Sequence, residues 1–86
     1  MSNGRRNFFE VITDILVEAR YGANKTRIMQ RANLNYHRFN RYFSELLSCD
    51  VIRKEEDVDG RFLYKTTEKG MRLINIINRA EEILTP

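Results

Sequence analysis

Arg38 and Arg41 stand about one helical turn apart in a stretch that also supplies Asn35, His37 and Asn40. All five side chains can meet the edges of nucleic-acid bases. A guanidinium can bond guanine O6 and N7 together, a carboxamide can do the same with adenine N6 and N7, and an imidazole can donate to a base or a phosphate. Ahead of them, Lys25, Thr26 and Arg27 follow a helix-capping asparagine, Asn24. Free backbone amides and the positive end of a helix dipole at such a start favour a phosphate, a contact that positions without reading sequence. Both groups fall in one window: between Glu18 and Glu45 there is no acidic residue, whereas Arg20, Lys25, Arg27, Arg31, Arg38 and Arg41 all lie there. Such a surface suits a polyanion.

Other chemistries are poorly supplied. Catalysis needs a nucleophile with its base, paired carboxylates or converging metal ligands, and the chain has one histidine and one cysteine, Cys49. Glu55, Glu56, Asp57 and Asp59 cluster, but without the glycine and terminal glutamate spacing of a calcium loop. The four glycines, Gly4, Gly22, Gly60 and Gly70, are dispersed and form no phosphate-binding loop. No enzyme activity, cofactor, metal or small-molecule ligand is expected.

Eighty-six residues allow one small domain with a single modest core, so 1–86 reads as one unit, with core and wing over 8–66 and a last helix over 67–84. The net charge of +3 is unevenly shared. Residues 1–48 carry eight Lys or Arg against four Asp or Glu, and residues 49–86 carry seven against eight. One cysteine excludes an internal disulfide framework and suits a reducing compartment. No apolar run approaches the roughly 18 residues of a membrane span, and Glu10 and Asp14 interrupt the first apolar stretch, unlike a signal peptide. The expected location is cytoplasmic and nucleoid-associated.

Periodicity supplies the elements that must carry these residues. Phe8, Val11, Ile12, Ile15, Leu16 and Ala19 recur at helical spacing, and Tyr21-Gly22 ends that helix. A short helix from Asn24 to Ala32 turns its inner stripe, Ile28, Met29 and Ala32, toward the first. Leu34 plugs the following turn and Asn35 caps a third helix, which runs from about Tyr36 to Cys49. On its inner face lie Tyr36, Phe39, Phe43, Leu46 and Leu47; His37, Arg41, Ser44 and Ser48 centre the opposite face, flanked by Arg38 and Asn40. Val51 to Glu56 and Arg61 to Thr66 read as strands of a hairpin turned at Asp59-Gly60. Thr67 starts the last helix. The spacing of Tyr36, Phe39, Tyr42, Phe43, Phe62 and Tyr64 predicts core packing rather than a stacking platform, with Tyr42 and Tyr64 partly exposed.

Helix, short helix, turn, longer helix and two-stranded hairpin is the order of a winged helix-turn-helix, mainly α with a small β-hairpin. Local strings sharpen it: GANKTRIMQRANLNY over 22–36, LLSCDVI over 46–52 and YKTTEKG over 64–70. Over about residues 8–84 the chain resembles the archaeal winged-helix DNA-binding proteins, which include transcriptional regulators and small basic chromatin-associated proteins. The resemblance implies a binder of double-stranded DNA that forms a homodimer through its last helix, with helix 3 and the wing facing the duplex. The chromatin-associated members end in a longer coiled-coil helix than the five or so turns expected here.

Arg61, beside the hairpin turn, is the wing residue best placed to reach a groove, although the acidic neighbours at the tip oppose it. Arg5 and Arg6 are candidates for a basic arm. In the last helix, apolar residues spread over more than one stripe, and Met71, Ile74, Ile77 and Leu84 approximate the seam of a short coiled coil between two copies. A protein-protein docking module of winged-helix type without DNA contact is the alternative from another class.

Overall fold

Three asparagines and a threonine start the four helices. The computed structural model describes residues 7–85, so the proposed arm at Arg5 and Arg6 lies outside the described residues. In order come α1 (Phe8–Glu18), α2 (Lys25–Ala32), α3 (Tyr36–Ser48), β1 (Ile52–Glu56), β2 (Phe62–Thr66) and α4 (Glu68–Leu84). Asn7, Asn24, Asn35 and Thr67 are each extended, and each side-chain oxygen accepts from the amide three residues on, at 2.8 to 3.1 Å. Glu10 returns the bond to the Asn7 amide at 2.9 Å, completing a capping box. Caps of this kind stabilise a helix by about 1 kcal/mol each, which matters most for the eight-residue α2.

The ends are equally local. Asn33, at φ 56°, takes the left-handed conformation that closes α2 and redirects the chain into α3; Asp50, at φ 61°, does the same between α3 and β1. Asparagine and aspartate tolerate this region better than most residues.

Val11, Ile12, Ile15 and Leu16 of α1 form the centre of the core. Ile28 and Ala32 of α2, Phe39, Phe43 and Leu46 of α3, and Ile74 and Ile77 of α4 close around them. The two strands pair antiparallel, Ile52 opposite Thr66 and Glu56 opposite Phe62. The hairpin is anchored at its base. Ala23 exchanges two backbone bonds with Tyr64 (3.0 and 2.8 Å), the Thr66 amide donates to Ala19 O, and Thr66 Oγ1 donates to Leu16 O at 2.6 Å. The wing therefore leaves the end of α1 in a defined direction. At the other end of the same junction, Thr67 Oγ1 donates to Asp50 O and Lys69 Nζ to Cys49 O, tying the start of α4 to the end of α3.

Several apolar residues expected inside are not. Tyr36 is 66% exposed and Phe62 55%. Tyr36 occupies the first turn of α3, where the apolar stripe outruns the core, and Phe62 lies toward the tip of a hairpin that projects past it. Each ring instead meets a lysine: Lys25 Nζ lies 5.8 Å from the Tyr36 centroid and Lys54 Nζ 4.1 Å from that of Phe62. Phe8, also exposed, sets its ring 5.7 Å from Tyr42. Tyr42 and Tyr64 are half-buried, as their spacing predicts.

Candidate nucleic-acid interface

Asn33-Leu34-Asn35 joins α2 to α3, with Leu34 half-buried and the two asparagines closing one helix and opening the next. Phe39, Phe43 and Leu46 bury one face of α3, which leaves His37, Arg38, Arg41 and Ser44 exposed on the other and Asn40 half-buried. The polar face is the one read from the sequence, but the inner face is narrower than expected, since Leu47 as well as Tyr36 is exposed.

Arg38 and Arg41 share one groove. With Phe8, Tyr42 and Glu45 they line an open groove of about 570 Å³ between the start of α1 and the flank of α3. Neither guanidinium forms an ion pair among the described residues. Two uncommitted guanidiniums within one turn, on the exposed face of a rigid helix, can donate to phosphate oxygens or to a guanine edge. Asn35 is differently placed, because its Oδ1 accepts from the Arg38 amide at 2.9 Å. A bidentate contact with adenine would need that same oxygen, so the base-reading role is in competition with the cap.

The start of α2 is partly committed as well. The Arg27 amide donates to Asn24 Oδ1, while its guanidinium donates from Nε (3.1 Å) and Nη2 (2.7 Å) to a single oxygen of Glu18 on α1. One turn further on, Arg31 stands 3.9 Å from Asp14. The acid-free window of the sequence is thus flanked in space by the acids of α1. Lys25, half-buried, lies against the rings of Tyr36 and Phe43, and Thr26 is exposed.

Arg61 is exposed beside the wing turn. Asp57 organises that turn, its Oδ1 accepting from the amides of Asp59 and Arg61, and Gly60 takes φ 79°. Val58 projects fully into solvent at the tip, and Arg53 is paired with Glu55.

The expected seam of α4 needs correction. Ile74 and Ile77 are 6% and 4% exposed, packed in the core of their own chain, and Met71 is half-buried, so of the four only Leu84 is free. Projection at 100° per residue places a second apolar stripe beside the buried one. It comprises Leu73, Ile76, Ala80, Ile83 and Leu84, of which Ile76, Ile83 and Leu84 are strongly exposed. Leu73, Ile76, Ala80 and Ile83 follow the three-and-four alternation of a seam. The signal was present in the sequence, but a helix with two adjacent apolar stripes does not declare which one faces its own core.

Among the described residues no cluster of three or more His, Cys, Asp or Glu could hold a metal, and no helix is long and apolar enough to cross a membrane.

A sequence profile described as winged helix-turn-helix matches residues 5–85. The chain belongs to the winged helix-turn-helix family. It is 35% identical over 81 residues to an uncharacterised protein of Methanocaldococcus jannaschii, covering 93% of this chain and 78% of that one. This winged helix-turn-helix protein also superposes on Sso10a-2, a DNA-binding protein from Sulfolobus solfataricus, with TM-score 0.74 and 28% identity over 91% of this chain and 81% of the other. The PcaV transcriptional regulator from Streptomyces coelicolor shares the fold at TM-score 0.62 and 19% identity, covering 99% of this chain and 66% of that one. The resemblance to the archaeal winged-helix group is thereby borne out, both archaeal relatives matching over most of their length.

Proposed function

We propose that this chain binds double-stranded DNA as a homodimer, acting as a transcriptional regulator or as an architectural protein of the nucleoid, and that it is not an enzyme. The observation that carries the reading is the pair Arg38 and Arg41, uncommitted and adjacent on the exposed face of α3 in a winged helix-turn-helix. The likeness to Sso10a-2, a DNA-binding protein, supports it. In this reading α3 enters the major groove, with His37, Arg38, Asn40 and Arg41 at base edges or the flanking backbone. Lys25, Thr26 and Arg27 at the start of α2 hold a phosphate, and Arg61 reaches the backbone from the wing.

Dimerisation uses the outward stripe of α4, Leu73, Ile76, Ala80 and Ile83, with Leu84 beside it. Apolar side chains lined up on one exposed helical face gain by burial against a second copy. A two-fold dimer presents two α3 helices to one duplex.

Titration of fluorescent duplex at several salt concentrations tests the reading. Affinity should fall steeply as salt rises, because neutralised phosphates release counterions. Duplex RNA should compete poorly, since its deep, narrow major groove excludes a reading helix. A stable monomer without duplex affinity would instead support a docking module. Selection from random duplexes near physiological salt then separates a regulator, which returns a motif, from an architectural protein, which does not.

A further inference from the structure

Glu18 engages the guanidinium of Arg27, the residue read above as a phosphate contact. Both bonds from Arg27, from Nε and Nη2, end on the same carboxylate oxygen, and the pair sits where α2 begins, beside Thr26 and the half-buried Lys25. Four residues back on α1 and four residues on along α2, Asp14 and Arg31 repeat the juxtaposition loosely, at 3.9 Å. The tight rung is the one at the predicted phosphate contact. Its two side chains differ in setting: that of Glu18 is 20% exposed and that of Arg27 62%. The Glu18 side chain is half-buried, while the guanidinium faces solvent.

We infer that Glu18 is an internal competitor for the DNA backbone, lowering affinity for duplex of any sequence by holding Arg27 and by repelling the phosphate that approaches it. The inference rests on the DNA-binding reading above. An exposed ion pair is weakly held, so a phosphate can displace the carboxylate or share the guanidinium, which has five N–H donors and spends two of them on Glu18. Either way the Glu18 charge remains within a few ångströms of the incoming anion, well inside the Debye length of about 10 Å at 0.1 M salt. The penalty is independent of sequence, because phosphate contacts carry no base information. It therefore weakens binding to a preferred site and to random duplex by the same factor, setting the overall affinity while leaving discrimination to the contacts made from α3.

The test is the affinity of the full chain for a random-sequence duplex at two or more salt concentrations. Glu18→Gln, which keeps shape and removes charge, should bind about 3- to 10-fold more tightly at moderate salt, with a plot of log K against log salt steeper by up to about 0.9, the increment for one more phosphate neutralised. Glu18→Ala should shift affinity in the same direction and serves if the glutamine variant folds poorly. In an Arg27→Gln background the Glu18→Gln change should do much less. A native chain that binds duplex while both Glu18 variants bind equally or more weakly overturns the inference alone, since Glu18 would then be inert or a support for Arg27. A native chain with no salt-dependent duplex affinity overturns the DNA-binding reading and this inference with it.

Discussion

Gly70 lies directly beneath the carbonyl oxygen of Val51, so close that a Cβ on residue 70 would overlap it and crowd the Thr66 methyl as well. The start of α4 is pressed against the junction of α3 and β1, and only a residue without a side chain permits that approach. Gly70→Ala should therefore destabilise the domain, despite the better helix propensity of alanine. We expect a loss of about 2–3 kcal/mol, the upper range for overpacking, and a melting temperature lower by roughly 10 °C or more. Thermal denaturation followed by circular dichroism measures it; an unchanged or raised midpoint would contradict the packing.

Arg38→Ala together with Arg41→Ala should weaken duplex binding by about 100-fold, taking 1–3 kcal/mol for each guanidinium contact. Both side chains are exposed and unpaired among the described residues, so stability should change by less than about 0.5 kcal/mol. Fluorescence anisotropy and a melting curve on the same sample separate the two effects. Undiminished affinity would remove α3 from the groove.

Ile76→Glu with Ile83→Glu should convert a dimer to a folded monomer. Both residues are strongly exposed in the single chain, whereas Ile74 is buried in its core. Ile74→Glu should instead unfold the protomer, because an unpaired charge would have to enter an apolar interior. Sedimentation velocity and circular dichroism report assembly and folding separately. Should the double variant sediment like the native chain, the outward stripe is not the interface.

Asn35 serves α3 first as a cap. Asn35→Ala should lower stability by about 1 kcal/mol, and Asn35→Ser should recover most of it, serine being another good capping residue. If duplex affinity follows stability across the two variants, capping accounts for the residue. Affinity lost in the serine variant at preserved stability would reveal a direct base contact.

Arg27 shows where one-dimensional reading of charge gives out. Along the chain it belongs to a window without acids, and its nearest carboxylate in sequence, Glu18, is nine residues away. The short connection between α1 and α2 folds those nine residues back until the two side chains touch. The same limit applies to Ile74 and Ile77, whose helical spacing marked them as apolar seam but not as seam to their own α1. Tyr36 and Phe62 fail in the opposite sense, since an apolar residue on the correct face is buried only where the partner element extends far enough to cover it.

The sequence by itself determined the elements, their order and their ends. Capping by Asn7, Asn24, Asn35 and Thr67, the punctuation at Asn33 and Asp50, and the helical and alternating apolar periods are local chemistry, decided within a few residues of chain. It also determined which face of α3 would be polar, since Phe39, Phe43 and Leu46 leave their burial little choice. Tertiary structure alone decided which charges remain uncommitted and which apolar stripe remains uncovered. Those are properties of the space between elements: Arg27 meets Glu18, Gly70 meets Val51, and Ile76 is left strongly exposed.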